Sequence, residues 1–295
     1  MDDGCATHDL AGSVPSAVEC RGQVIDNRCV AQGTWIMRLA CPELARQITP
    51  GQFFMVRDPR VTDPMLGRPF ALLDVWEDSE GQIAGVDFGY VVVGKMTKLM
   101  TTWRADDPFV LWGPLGNGFP IPDVERLCLV AGGIGVTPFL AVTNEALGNQ
   151  TYGETGRLLS KQPTSVKLCY GARSKEHLAC VDLFEDAGAK VAISTDDGSC
   201  GRHGFVTDTL NDLISGESPP EAIYCCGPEP MMEAVGKIAT ENQIPCWLSL
   251  ETPMACGFGI CFSCVTRVRL DDGTTDYRRT CVEGPVFPAE KLCFS

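Results

Sequence analysis

Arg126-Leu127-Cys128-Leu129-Val130-Ala131-Gly132-Gly133-Ile134-Gly135-Val136-Thr137-Pro138 divides the chain into two kinds of sequence. Arg126 to Ala131 is a strand-length, almost wholly apolar run, as a strand buried on both faces requires. Glycines follow, and then an amphipathic helix through Leu147. A buried strand that turns through glycines into a helix is a place where backbone N–H groups can meet a pyrophosphate. The pattern is not G-x-G-x-x-G, and the same glycines would also serve close helix-to-sheet packing.

Downstream, strand and helix alternate. Strands are expected at Ser165 to Gly171, Lys190 to Thr195 and Ala222 to Cys226, and helices at Lys175 to Asp186, Val206 to Ile214 and Glu229 to Glu241. Such alternation predicts a doubly wound parallel α/β domain over residues 123–245. Cys226-Gly227-Pro228-Glu229-Pro230-Met231-Met232 is a second strand end that opens a helix. Gly148 to Lys161 reads as an exposed insertion. Upstream, six short strands are expected: Ala17 to Ile25, Thr34 to Leu39, Gln52 to Arg57, Phe70 to Val75, Val86 to Val93 and Phe109 to Trp112. Gly and Pro separate them, which predicts a small antiparallel barrel or sandwich over residues 16–122, after a loose tail at 1–15.

Met254-Ala255-Cys256-Gly257-Phe258-Gly259-Ile260-Cys261-Phe262-Ser263-Cys264, with Cys281 beyond it, has the C-x4-C-x2-C…C spacing of a plant-type [2Fe-2S] site. Gly257 and Gly259 would let the loop curl and turn its N–H groups toward a negative centre. Four cysteines could also hold structural zinc, but such sites come as paired C-x2-4-C knuckles and one half here lacks that form. Residues 246–295 form this small C-terminal domain, with a hairpin expected at Asp271-Asp272-Gly273.

The 295 residues, 44% hydrophobic, suffice for two compact domains and an appendage. A net charge of −14 argues against nucleic acid or an anionic membrane as partner. The acidic start and the absence of a long apolar run lead us to expect a cytoplasmic protein. The 16 cysteines are mostly scattered through apolar runs, Cys128 and Cys169 among them, and read as small core residues in a reducing compartment. His8, His177 and His203 have no metal-ligand or triad spacing.

Two weaker motifs complete the set. Arg68-Pro69-Phe70-Ala71 opens a strand, and Tyr90-Val91-Val92-Val93-Gly94-Lys95-Met96-Thr97 follows later. Together they could hold a phosphate, and a solvated Arg beside an ordinary strand-to-helix turn is the plain alternative. The order of parts, R-P-x-x, G-G-x-G-x-x-P, C-G-P-x-x-M and C-x4-C-x2-C…C, resembles the ferredoxin reductase superfamily of flavin oxidoreductases. Within it the chain is most similar to the electron transfer subunits of NAD-dependent dihydroorotate dehydrogenase. Gly113-Pro114-Leu115-Gly116-Asn117-Gly118-Phe119, Asp197-Gly198-Ser199, Gly204-Phe205-Val206-Thr207-Asp208 and Cys281-Val282-Glu283-Gly284-Pro285-Val286-Phe287 carry the finer match, which covers nearly all of the chain from Ala17.

The resemblance implies FAD held by Arg68, Pro69, Phe70 and Ala71, by Gly89, Tyr90 and Val91, and by Gly94, Met96 and Thr97. Ala71 and Met96 depart from the family pattern, which has a hydroxyl residue and a glycine there. It implies NAD(H) at Gly132, Gly133, Gly135, Pro138 and Gly227, with Cys226 as the residue beside the nicotinamide, and a [2Fe-2S] cluster on Cys256, Cys261, Cys264 and Cys281. Asp196 and Asp197, with no basic cluster after Thr195, favour NAD(H) over NADP(H). The implied role is to pass electrons between NAD(H) and the FMN of a separate catalytic subunit in pyrimidine (UMP) biosynthesis, two copies of each subunit forming a heterotetramer. A sibling reductase subunit of the sulfhydrogenase or ferredoxin:NADP oxidoreductase type is the alternative, and a non-enzymatic cluster-binding redox sensor is another. Phe258, Ile260 and Phe262 are expected to supply an apolar docking rim around the cluster, unless they pack on the chain's own barrel.

Overall fold

The computed structural model describes residues 17–121, 123–157 and 161–294; the expected tail at 1–15 lies outside them. Seven antiparallel strands form the first sheet: β1 (Val18–Ala31), β2 (Thr34–Ala40), β3 (Phe53–Arg57), β4 (Arg68–Ala71), β5 (Asp74–Glu77), β6 (Ile83–Val91) and β7 (Pro108–Leu115). Their order is β4-β3-β7-β1-β2-β6-β5, so the sheet is a curled half-barrel whose edge strands do not pair. The expected single strand from Phe70 to Val75 explains the shape. It breaks at the buried pair Leu72-Leu73, whose amides donate to Gln52 O (3.1 Å) and Asp87 O (2.9 Å). The first half therefore pairs with β3 and the second with β6, at opposite edges of the sheet. Phe70 packs on Phe88 across the interior at 4.6 Å. Two short helices sit against this sheet, α1 (Pro42–Gln47) and α2 (Lys95–Met100).

The second sheet has the order β11-β10-β9-β8-β12-β13-β16. Its strands are β8 (Arg126–Gly132), β9 (Ser165–Ala172), β10 (Lys190–Thr195), β11 (Arg202–His203), β12 (Ala222–Cys226), β13 (Cys246–Ser249) and, after the small hairpin β14 (Val265–Arg269) and β15 (Thr275–Arg279), β16 (Val286–Pro288). All pairs in it are parallel except β13 with β16. Helices α3 (Phe139–Ala146), α4 (Val181–Asp186), α5 (Val206–Ile214) and α6 (Glu229–Glu241) cover it. The sheet thus runs past residue 245 and takes two strands from the segment expected to be cluster domain alone. The helix expected from Lys175 to Asp186 is broken, because Cys180 sits at φ 62° before α4 begins.

The two sheets are joined where β5 meets α3. Ala141 N donates to Leu73 O (3.0 Å), and the Asp74 carboxylate accepts from Asn144 Nδ2 (2.8 Å) and Tyr152 Oη (2.6 Å). Tyr152 is 2% exposed, and Arg157 binds both Glu145 and Phe119 O. The described part of the segment expected to be an exposed insertion, 148–157, is therefore a strap across the junction. Burial lifts the Asp74 carboxyl to about 6 despite these donors.

Candidate dinucleotide cleft and cluster loop

Strands β8 and β12 lie side by side and continue away from each other, so their carboxyl ends flank the switch point at which open α/β sheets take their ligands. Backbone meets backbone here. A Cβ on Gly135 would stand 2.3 Å from the carbonyl oxygen of Cys226, so only glycine lets the two turns touch. A cleft of about 1210 Å³ opens above them, lined by Gly132, Gly133, Gly135 and Gly227. The other expected nucleotide residues stand back from it. Pro138 caps α3. The Cys226 thiol is 4% exposed and is held neutral by burial, with Glu251 as a further cause. It lies beneath the floor that Gly227 provides.

Four cleft residues were not singled out for this site by sequence reasoning. Arg173 follows β9 and Asp196 follows β10, and the Asp196 amide donates to Ala172 O (3.1 Å). Phe205, 69% exposed, lines the same end. Glu251 follows β13 at the opposite end; it is open to solvent yet hemmed by neighbouring atoms, and that crowding raises its carboxyl. Tyr277 faces the cleft from the β14–β15 hairpin.

On the half-barrel, Val91 and Val93 extend this cleft, and Gly89 lies under the Ile134–Thr137 turn. Lys95 at the start of α2 pairs with Asp63 in the loop leading to β4. Arg68 is half-buried and donates to the carbonyls of Leu66 and Gly67 at 3.0 Å. Thr97 departs from expectation. Its hydroxyl accepts from Val93 N and Gly94 N at 3.0 Å each, closing the first turn of α2, and the residue is buried. It shapes the turn and offers no free donor outward. Met96 and Tyr90 are buried at 1%, with Tyr90 Oη on Asn27 Oδ1 (3.0 Å). Gly94 has open space where a Cβ would stand, and Val93 is 80% exposed, so the surface before α2 is free to receive a flat ligand. Of the residues expected to hold FAD, Arg68 carries the cation, while the amides of Val92, Val93 and Gly94 are taken by Gly33 O and the Thr97 hydroxyl; Pro69 and Ala71 are half-buried on β4 beside buried Phe70.

The cluster loop is pressed onto the end of the half-barrel. Trp112 Nε1 donates to Cys256 O (2.9 Å) and its ring stacks on Phe258 at 6.3 Å. Gly257 is at φ 78° with Leu115 Cδ1 only 2.8 Å from where a Cβ would be. The thiols meet in pairs. Cys264 and Cys281, buried at 1% and 0%, have sulfurs 3.2 Å apart, well beyond disulfide length. Cys261, exposed, is hydrogen-bonded with Cys256 and Ser263; the Ser263 hydroxyl and amide pull it down to about 6, toward the thiolate that binds metal. Backbone N–H groups aim at sulfur as well, Phe258 N at Cys256 Sγ (3.3 Å) and Gly259 at Cys281. Pairs of thiols surrounded by amide donors suit a binuclear cluster, which takes two ligands per iron.

Phe258 therefore turns inward, while Ile260 (78%) and Phe262 (62%) stand exposed beside Cys261. Arg279 holds this arrangement by donating to Gly259 O (3.1 Å), pairing with Glu283 and lying 5.4 Å over the Phe262 ring.

Comparison with known proteins agrees with both halves of the site. Residues 251–293 match the iron-sulfur cluster binding domain of dihydroorotate dehydrogenase B, and residues 129–237 match an oxidoreductase NAD-binding domain. The dihydroorotate dehydrogenase B (NAD(+)) electron transfer subunit of Caldanaerobacter subterraneus is 33% identical over 274 residues, 93% of this chain and 98% of that one. Its counterpart in Geobacillus thermodenitrificans is 34% identical over 275 residues, 92% of this chain and 97% of that one. Among solved structures, an NADH-dependent reduced ferredoxin-NADP oxidoreductase superposes with a TM-score of 0.74 at 25% identity, covering 92% of this chain and 89% of its own. A ferredoxin NADP+ reductase from Neisseria gonorrhoeae shares the fold, with a TM-score of 0.58 at 16% identity over 76% of this chain and 91% of its own. A half-barrel, a parallel sheet with its nucleotide cleft and a four-cysteine loop thus occur in one order along nearly the full length of these relatives, and the chain belongs to the family of dihydroorotate dehydrogenase B electron transfer subunits.

Proposed function

We propose that the chain carries electrons between NAD(H) and a separate dihydroorotate-oxidising subunit bearing FMN, in the synthesis of UMP, with two copies of each subunit in the complex. When bound, FAD takes the electron pair of a hydride and a [2Fe-2S] cluster passes electrons singly, which joins a nicotinamide to a one-electron relay. The chain's residues supply position and environment. Gly132, Gly133, Gly135 and Gly227 offer a backbone floor for the pyrophosphate, and Asp196 favours the free ribose hydroxyl of NAD(H) over a 2′-phosphate. Arg68 offers the cation for FAD phosphate. Trp112 and Gly257 seat the cysteine loop against the flavin domain, and the Ser263 hydroxyl and amide favour the thiolate form of Cys261.

One observation carries this reading: the cysteine loop is fixed to the half-barrel on its inner side and presents Cys261, Ile260 and Phe262 on its outer side. An exposed thiolate ligand ringed by apolar side chains is suited to docking a protein acceptor. Ile260→Asp should lower NAD-linked dihydroorotate oxidation in a mixture with the cognate catalytic subunit by at least tenfold, and NADH-to-dye activity should stay within twofold. Unchanged coupling in the Ile260→Asp/Phe262→Asp double variant would remove this face as the docking surface.

The likeness to the NADH-dependent reduced ferredoxin-NADP oxidoreductase supports a second reading, a sibling reductase subunit with another acceptor. Failure to form a complex with the cognate catalytic subunit at micromolar concentration would favour it.

A further inference from the structure

The nucleotide cleft has a wall that neither the glycine turns nor the half-barrel supplies. Val265, Thr266, Arg267 and Tyr277 of the β14–β15 hairpin face the same cleft as Gly133 and Gly227. The strand register sets Arg267 directly opposite Tyr277, so the two side chains stand together on one face of the hairpin. Tyr277 is 63% exposed and Val265 38%, open ring and aliphatic surface turned to a concave space. Among the described residues the Arg267 guanidinium is held by the Thr275 hydroxyl (3.2 Å), which leaves its charge available to the cleft.

Position along the sheet decides which part of a ligand meets this wall. Asp196 and Arg173 stand at the carboxyl ends of β10 and β9, on one side of the β8–β12 crevice. An acidic group there is placed to meet the adenosine ribose. On the other side of the crevice the cleft continues past Gly227 to Leu250, Glu251 and Thr252 after β13, and the hairpin adjoins it there. A dinucleotide with its pyrophosphate over the crevice directs its two halves in opposite senses, so the hairpin lies on the nicotinamide side.

We infer that the hairpin of the cluster domain is part of the dinucleotide site, with Tyr277, backed by Arg267, packing against the nicotinamide half of NAD(H). The inference rests on reading the cleft as the NAD(H) site. A planar aromatic beside a planar ring, with a cation near the phosphates, is the chemistry that recognises a dinucleotide. The domain that holds the cluster thereby also forms part of the nicotinamide site.

The test is equilibrium binding to the cofactor-loaded protein, with NADH and 5′-ADP titrated separately. Tyr277→Ala should raise the NADH Kd roughly three- to tenfold, the range of one aromatic packing contact, and leave the 5′-ADP Kd within twofold. Tyr277→Phe should bind both as the parent does. An unchanged NADH Kd in Tyr277→Ala, or equal weakening of NADH and 5′-ADP, would overturn the inference. A parent protein that binds neither nucleotide would overturn the reading of the cleft, and this inference with it.

Discussion

Asp74 shows how a single carboxyl can set the pH response of the joint between the two sheets. Its folded value of about 6 lies above the ordinary 3.8 because burial opposes its charge. The fold therefore favours the protonated form: the stabilisation is complete below pH 3.8 and is lost as pH rises through 6. Asp74→Asn should accordingly gain stability relative to the parent between pH 4.5 and 7.5, up to about 3 kcal/mol. A stability difference that is flat over that range in denaturant titrations would contradict the assignment. Gly135→Ala forces a Cβ into the Cys226 carbonyl, and an overpacked turn of this kind should cost about 1 to 3 kcal/mol and sharply weaken NADH binding. Glu251→Gln removes the carboxylate near the nicotinamide end, so the preference for cationic NAD+ over NADH should fall by roughly threefold or more, read as the ratio of two Kd values. The close approach at Gly135 and the gathering of Cys256, Cys261 and Cys264 were legible in the sequence because spacing along the chain translates into local geometry in a tight loop. Glu251 and Tyr277 were not, since strands β13 and β15 reach the cleft only after the sheet is assembled. Thr97 was legible as a position, but its hydroxyl is taken by the amides of its own turn, a partner that no motif displays.

Among the elements, those with strong patterns had clear limits in the sequence. Helices α5 and α6 and strands β10 and β12 fall where periodicity and Gly-Pro punctuation put them. The curled sheet was harder, because Phe70 to Val75 is one apolar run by composition and two strands by pairing, with Leu72 and Leu73 crossing between edges. Cys180 breaks a helix from a left-handed conformation that favours glycine, so composition alone could not mark it. The strap at 148–157 carries polar sequence and still buries Tyr152, because the hydroxyl finds Asp74 on another element. For the cysteine loop, Trp112 is the anchoring side chain. Trp112→Ala removes both the indole bond to Cys256 O and the stack on Phe258, and should speed loss of the cluster's visible absorbance in air severalfold while leaving iron binding in anaerobic preparations intact. Equal decay rates in variant and parent would show that the loop needs no support from the half-barrel.

At the level of the whole molecule, the cleft and the exposed edge of the cysteine loop are served by one continuous set of elements. The nucleotide floor lies at the β8–β12 crevice, the half-barrel contributes Val91 and Val93 to the same cleft, and its β7 carries the Trp112 that seats the loop. Cys264 and Cys281 are buried, while Ile260, Cys261 and Phe262 stand exposed outside the residues that line the cleft. Among the described residues no helix is long and apolar enough to cross a membrane. The most direct measurement is NAD+ reduction driven by dihydroorotate, made with the chain alone, with the cognate catalytic subunit alone and with the two combined. The account predicts turnover only in the combination, abolished by Cys264→Ser and kept by Cys169→Ser. Turnover by the chain alone, or none in a combination in which both subunits carry their full iron and flavin, would contradict it.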